Sequence, residues 1–144
     1  MLRRIITDRI AEFMVWLIEL VAIEFYEGDR ALAFKDLNDL KIWHHFVEKY
    51  EEKCSLNAEA ITDEIGLMLG KKRPPFSKLM LLNDGDTEFI QKIIQEISVR
   101  YDFNYSISLE KFYTSGVCRM LSGTNVGPSA FSFDEMLEIF DKSM

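Results

Sequence analysis

A long apolar stretch near the start of the chain constrains the fold more than any other segment. Residues 11–26 have the sequence AEFMVWLIELVAIEFY, and only Glu12, Glu19 and Glu24 in it are charged. As an α-helix this stretch is about 24 Å long and apolar over more than half of its circumference. Because such a helix needs cover on several sides, we expect the other segments to pack around it.

The N-terminal sequence MLRRII followed by an apolar stretch is similar to a signal peptide or a membrane span. The carboxylates of Glu12, Glu19 and Glu24 interrupt the stretch, and no small-residue cleavage site follows it. A transmembrane helix needs about 20 apolar residues without such charges. We therefore expect a buried helix and no membrane partner.

Composition limits the classes of partner. The chain has 144 residues, 48% of them hydrophobic, which fits one domain or two small fused subdomains. Its formal net charge is −7. Binding to nucleic acid depends on clustered lysine and arginine, so this charge argues against a nucleic-acid partner and favours a basic protein partner. The two cysteines, Cys54 and Cys118, form no CxxC pattern, which indicates reduced thiols in a cytoplasmic protein.

Apolar residues at helical spacing predict further helices along the chain. After the first helix, start and stop signals place them at residues 29–37, 38–52, 57–70, 87–100, 109–121 and from 132 onward. The clearest start is Ser132 with Glu135, which is a capping box. Two short segments stay ambiguous: 79–82 between a strand and a buried extended segment, and 104–108 between a loop and a strand.

These elements predict an all-α fold, a bundle of about six or seven helices around the central apolar helix. The sequence KKRPP after residue 70 is the only break in composition, so we predict a helical half at 1–70, a linker and turn at 71–87, and a second helical half at 88–144. The pattern around Glu12-Phe13 recurs around Glu88-Phe89. Helical patterns often resemble one another by chance, so the sequence leaves open whether the halves are a true duplication. If they are, the two halves pack through their long first helices.

The first half also resembles a small bacterial all-helical domain family of unknown function. The resemblance lies in EFMVWLIELVA at 12–22, FVEKYEE at 46–52 and AEAITDEIGLMLGKK at 58–72. Some members of that family are encoded beside genes for toxin-like proteins. The resemblance implies a helical domain and brings no functional residues with it.

Residues that often carry chemistry do not form a complete site. His44 and His45 are adjacent, and His44 with Glu48 supplies only two of the three or four ligands that zinc requires. Cys118 has no hydrolase-like context. The carboxylates between Asn83 and Glu88 do not have EF-hand spacing and instead predict a turn before a helix at Thr87. We therefore expect no catalytic residues, no bound metal and no cofactor. We also expect that the protein is not an enzyme.

Two carboxylates of the central helix require a separate interpretation. Glu12 and Glu19 are seven residues apart and share one helix face. If both were buried, they would be candidates for acid catalysis with a raised pKa. The favoured alternatives are the solvent edge of the helix or ion pairs with Arg9 and Arg30.

Acidic residues are concentrated near the junction of the third and fourth predicted helices. The candidate partner-binding residues there are Glu48, Tyr50, Glu51, Glu52, Glu59, Asp63 and Glu64. This surface is either an ordinary solvated face or an acidic docking patch with Tyr50 as an aromatic anchor.

The leading hypothesis for function is an immunity protein or antitoxin that neutralises a basic toxin domain, such as a nuclease, by direct contact. Small size, acidity and the lack of a catalytic pattern motivate it. The alternative is a helical regulatory or structural adaptor, with a homodimer as one version. The sequence leaves the oligomeric state open.

Overall fold

The computed structural model describes residues 8–39, 45, 58–82, 84–122 and 131–143, and within them the fold is all-α, as predicted. No strand occurs in these ranges. A short 3-10 helix at Leu79–Leu81 lies between the third and fourth α-helices. The seven α-helices are α1 Asp8–Phe25, α2 Arg30–Asp39, α3 Ala58–Leu69, α4 Asp84–Tyr101, α5 Tyr105–Tyr113, α6 Gly116–Ser122 and α7 Phe133–Ser143.

Helix α1 is the centre of the described fold. It packs against α2, α3, α4 and the 3-10 helix. Leu17, Ile18 and Leu20 on α1 are fully buried, as expected for a helix that is covered on several sides. Helices α5, α6 and α7 complete the core with Phe112, Val117 and Phe140, among others. The prediction of a buried central helix is therefore confirmed.

Short-range signals explain several helix ends. The Oδ1 of Asp29 accepts a hydrogen bond from the amide of Leu32 at 3.1 Å and caps α2, whose predicted range begins at residue 29. Gly70 follows α3 with φ of +68°, the left-handed conformation that the sequence predicts there. The hydroxyl of Ser132 accepts from the amide of Glu135 at 3.5 Å, at the start of α7.

Four local predictions were wrong. Residues 79–81 form a 3-10 helix rather than a strand or a buried extended segment, and Met80 in it is exposed. Residues 105–108 belong to α5. The side chain of Asn104 accepts a hydrogen bond from the amide of Ile107 at 2.8 Å and caps this helix. Helix α4 begins at Asp84 rather than Thr87, and its acidic first turn suits the positive helix N-terminus.

The fourth wrong prediction is a single helix over 109–121. In the structure this range is divided between α5 and α6. Between them the hydroxyls of Thr114 and Ser115 donate to the carbonyls of Glu110 and Phe112, at 2.8 and 2.6 Å. Such side-chain bonds to the backbone compete with continuation of the helix.

The long first helices of the two predicted halves, α1 and α4, pack directly on each other. Leu17 on α1 and Ile93 and Ile94 on α4 are all fully buried in one core. The duplication itself stays a prediction. Most of the predicted helix at 38–52, including Trp43 and Phe46, lies outside the described residues.

The chain returns closely past α3 at its end. The amide of Lys71 donates to the carbonyl of Gly66 at 2.9 Å. A Cβ atom at position 66 would lie 3.0 Å from the carbonyl oxygen of Lys71 and 3.2 Å from the ring of Phe25. Glycine leaves room for this approach, whereas a larger residue would press on the Lys71 carbonyl and the Phe25 ring. Further along, the 3-10 helix packs against α1.

Candidate functional site

The predicted partner-binding residues fall into two groups. Glu59, Asp63 and Glu64 lie on α3. The other four, at positions 48, 50, 51 and 52, lie outside the described residues. Glu64 is in contact with His45, with 2.6 Å between Oε1 and Nε2, whereas Glu59 and Asp63 share a different partner.

That partner is Arg73, which lies in the predicted linker. Its guanidinium contacts Glu59 and Asp63 on α3 and reaches Glu24 on α1 with 2.8 Å between Nη2 and Oε2. It also donates to the hydroxyl of Ser77 at 3.2 Å. We call these five residues the Arg73 cluster. The hydrogen bond with Glu59 is the largest of the effects that raise the Arg73 pKa, so the guanidinium stays charged.

Glu24 is the buried member of the Arg73 cluster, and its side chain is fully inaccessible to solvent. Oε2 accepts from the hydroxyl of Ser77 at 2.8 Å, and Oε1 accepts from the backbone amide of Lys78 at 2.9 Å. Burial by itself raises the pKa of Glu24, but the bonds from Lys78, Ser77 and Arg73 outweigh burial and lower it. Glu24 therefore attaches residues 73–78 to α1 as a carboxylate.

The lowered Glu24 pKa predicts a loss of stability in acid. Because the folded pKa lies below the ordinary value of 4.5, the stabilisation is present above pH 4.5 and is lost as the pH falls through the folded pKa. Glu24→Gln should lower the free energy of unfolding at neutral pH by about 1–3 kcal/mol. Its difference from wild type should shrink in acid, as measured by urea unfolding at a series of pH values.

Glu12→Gln is the matched control for Glu24→Gln, since Glu12 is an exposed carboxylate on the same helix. It should unfold like the wild type at every pH. An equal effect of the two substitutions would contradict the role assigned to Glu24.

A second polar cluster lies inside the core. Glu19 on α1 is buried, and its two carboxylate oxygens share a bifurcated hydrogen bond from the single N–H at Nε of Arg30 on α2, at 2.7 and 2.9 Å. This confirms the pairing alternative for Glu19, whereas Glu12 is exposed. Burial raises the pKa of Glu19 in spite of the neighbouring guanidinium.

Tyr113 and Cys118 complete this buried cluster. Burial, followed by the charge of Glu19, raises the pKa of the Tyr113 phenol well above its ordinary value. A hydrogen-bonding interaction with the Tyr113 side chain lowers the Glu19 pKa, and this effect is smaller than that of Arg30. Cys118 is a buried free thiol, as predicted. Since all these side chains are enclosed by the core, a substrate would have to displace packed residues to reach them.

A third feature is a surface between α3 and α4. Its apolar members are Phe76, Met80 and Leu81, whose exposed fractions are 86%, 85% and 66%. Lys71, Lys72 and Lys78 lie near them in the sequence and, together with Glu24 and Glu27, line a cavity of about 310 Å³ at the end of α1. We call the three apolar residues and the three lysines the lysine–apolar surface. Exposed apolar side chains grouped in this way are typical of interaction sites.

Sequence reasoning missed both Glu24 and the lysine–apolar surface. The available signal for Glu24 was its position between Ile23 and Phe25 in an apolar helix. A carboxylate at such a position is buried with the helix, and a buried charge requires a partner. Its partner Arg73 is 49 residues away, in the predicted linker. The exposure of Met80 and Leu81 follows from the 3-10 helix, which the sequence did not predict.

Within the described ranges, no group of three or more histidine, cysteine and acidic side chains could hold a metal ion. No helix in those ranges has the length and the apolar content needed to cross a bilayer. Searches with the chain against protein-family models, curated proteins and solved structures found no match.

Proposed function

We propose that the chain is a binding protein that neutralises a basic toxin domain by direct contact, in the manner of an immunity protein or antitoxin. The observation that carries the proposal is that two carboxylates on α3 are held in place and are still exposed to solvent. Glu59 and Asp63 are held in place by Arg73, yet their side chains are still 62% and 65% exposed. Carboxylates that are already ordered lose less entropy when a cationic partner binds.

Charge supports the same proposal at longer range. A net charge of −7 attracts a basic domain and raises its rate of association. The resemblance of the first half to a helical family with toxin-like gene neighbours gives the proposal its biological context. A basic nuclease domain would then be inhibited when its substrate cleft is covered by acidic side chains.

The test is to identify the gene adjacent to the one for this chain and to co-express the protein it encodes with this chain. We expect restored growth of the host and purification of a stoichiometric complex. Glu59→Gln combined with Asp63→Asn should slow association several-fold and weaken its dependence on salt, because rim charges act mainly on the association rate. These amides keep hydrogen-bonding groups near Arg73, so the fold should be retained.

Glu88→Gln combined with Glu138→Gln is the matched control. Both residues are exposed, and each lies beside a lysine one helical turn further along its own helix. This variant should bind like the wild type. Lack of protection and of co-purification would overturn the proposal, and equal slowing by the two double variants would remove α3 from the interface.

A second candidate function is a helical adaptor that acts as a homodimer. It is favoured by a shallow depression of about 560 Å³ beside α4, whose lining includes Val99, Tyr105 and Phe133. Val99 is exposed over 79% of its surface. Light scattering over a range of concentrations tests this version, and a strict monomer would exclude the homodimer.

A further inference from the structure

The outward side of α3 carries two apolar side chains. Leu67 follows the fully buried Ile65 by two residues, so it lies on the opposite side of the helix. The exposed fractions of Leu67 and Met68 are 85% and 41%. The outer face of a packed helix normally carries polar residues, and neither side chain belongs to the hydrophobic core formed by the described residues. Stability of the fold therefore does not account for a leucine at position 67.

Leu67 continues a row that Glu59 and Asp63 begin. Residues four positions apart are neighbours on one side of a helix, about 6 Å from each other along its axis. Positions 59, 63 and 67 span most of α3, which runs from Ala58 to Leu69. All three side chains are more than half exposed. They form one ridge, with two carboxylates followed by an apolar end, which we call the α3 ridge.

Charge limits what can cover the α3 ridge. The charged residues of α3 are Glu59, Asp63 and Glu64, and all three are acidic. Arg73 contacts Glu59 and Asp63, but its single positive charge is shared with Glu24 on α1. One guanidinium therefore faces three carboxylates, and the carboxylate half of the ridge stays negative.

Other nearby cations do not reverse this sign. His45 contacts Glu64 and can add one positive charge at most. Lys71 and Lys72 follow the helix, but they line the cavity at the end of α1, where Glu27 contributes a further carboxylate. Within the described part of the chain, neither lysine forms an ion pair with an acidic residue of α3. The α3 ridge is thus an acidic surface with an apolar end.

This combination distinguishes between possible occupants. A twofold dimer brings one surface against its own copy, so the carboxylates of two α3 ridges would repel each other. Nucleic acids and anionic bilayers carry negative charge as well and are disfavoured for the same reason. A basic protein surface is complementary to Glu59 and Asp63, and an apolar pocket in that surface would remove Leu67 from water.

We propose that Leu67 is the apolar anchor of the α3 interface, and that the partner presents basic side chains beside an apolar pocket. The inference extends the proposed function and rests on it for the identity of the partner. The basic side chains meet Glu59 and Asp63, and the pocket receives Leu67 about 6 Å further along the helix axis. The two parts have different effects on binding. Charges at the rim accelerate association, whereas burial of an apolar side chain slows dissociation.

The first experiment measures binding rates with the protein encoded by the adjacent gene. Leu67→Ala should raise the dissociation rate roughly tenfold, since it removes apolar surface that the partner covers, and should leave the association rate almost unchanged. Glu59→Gln combined with Asp63→Asn should act on the association rate instead. A complex in which Leu67→Ala dissociates as slowly as the wild type would overturn the inference and leave the proposed function intact.

Two variants serve as controls for Leu67→Ala. Val99→Ala shortens another apolar side chain, which is 79% exposed on α4, and should bind like the wild type. Leu67→Met keeps an apolar side chain of similar volume and should retain slow dissociation. Thermal unfolding of all three variants should stay close to that of the wild type, because the altered side chains are exposed.

Synthetic peptides test the partner chemistry independently of the adjacent gene. Two helical peptides are made with the same number of arginine and leucine residues. In one peptide both residue types share a helix face, and in the other the leucines are moved to the opposite face. The wild type should bind the first peptide more tightly, and Leu67→Ala should remove this preference.

The outcomes separate the inference from the proposed function. Equal binding of the two peptides, or no binding of either, would overturn the inference. A wild-type dimer that Leu67→Ala dissociates would also overturn it, because a second copy would then cover Leu67. If the peptide preference is present but the protein encoded by the adjacent gene does not bind, the proposed function is wrong and the inferred partner chemistry is retained.

Discussion

Replacing Arg30 by methionine is expected to destabilise the folded protein by about 3–5 kcal/mol. Methionine fills much of the same space but leaves the buried carboxylate of Glu19 without the guanidinium that donates to both of its oxygens. An unpaired charge in the core lowers the free energy of unfolding by far more than a complete ion pair raises it. Urea unfolding near neutral pH measures the loss.

The same substitution should change how stability depends on pH. Burial already raises the pKa of Glu19, and removal of Arg30 takes away the main opposing influence. A raised folded pKa means that the contribution to stability is present at low pH and is lost as the pH rises through that pKa. The deficit of Arg30→Met should therefore be largest at neutral pH and should narrow in acid, where Glu19 is protonated.

Two further variants test whether the loss comes from the unpaired charge of Glu19. Arg100→Met removes an ion pair with Asp141 in which both side chains are well exposed, so it should cost at most about 1 kcal/mol. The double variant Glu19→Leu with Arg30→Met replaces both charges by apolar groups and should recover most of the lost stability. If Arg30→Met costs no more than Arg100→Met, Glu19 is not held in the core by Arg30.

Leu17→Ala should destabilise the fold by about 2–5 kcal/mol. Leu17 is fully buried on α1, the helix against which α2, α3 and α4 pack, so the cavity would lie where several elements meet. Thermal and urea unfolding should both show the loss as one cooperative transition. A silent Leu17→Ala would mean that α1 is not the centre of the core.

Leu67→Ala is the matched control for Leu17→Ala, with the same atoms removed from a side chain that is 85% exposed on α3. It should change the free energy of unfolding by less than about 0.5 kcal/mol. The comparison isolates burial, since residue type and helical context are the same in the two variants.

The sequence predicted those parts of the fold whose causes lie within a few residues of each other. The Asp29 cap, the left-handed Gly70 and the start of α7 after Ser132 are local effects, and each is found in the structure. The all-α class followed from helical spacing of apolar residues. At 104–108 the sequence left a loop and a strand open, but the cap formed by Asn104 and the packing of Leu109 into the core favour a helix.

The candidate sites were less predictable because they join distant segments. The pairing of Glu19 with Arg30, 11 residues apart, was within reach of sequence reasoning. The link between Glu24 and Arg73 spans 49 residues and depends on the return of the chain past Gly66. The exposure of Phe76 also depends on tertiary structure. Its neighbours in the sequence do not determine which helices pack beside it.

The Arg73 cluster has a consequence for sequence variation. Its hydrogen bonds use the side chains of residues 24, 73 and 77 and a backbone amide at 78, all directed toward α1 and α3. The outward positions 72, 76, 80 and 81 contribute nothing to this attachment. Evolution or directed selection can therefore replace these four side chains freely without loosening the backbone that carries them, so new specificities can arise on this segment while the fold stays constant.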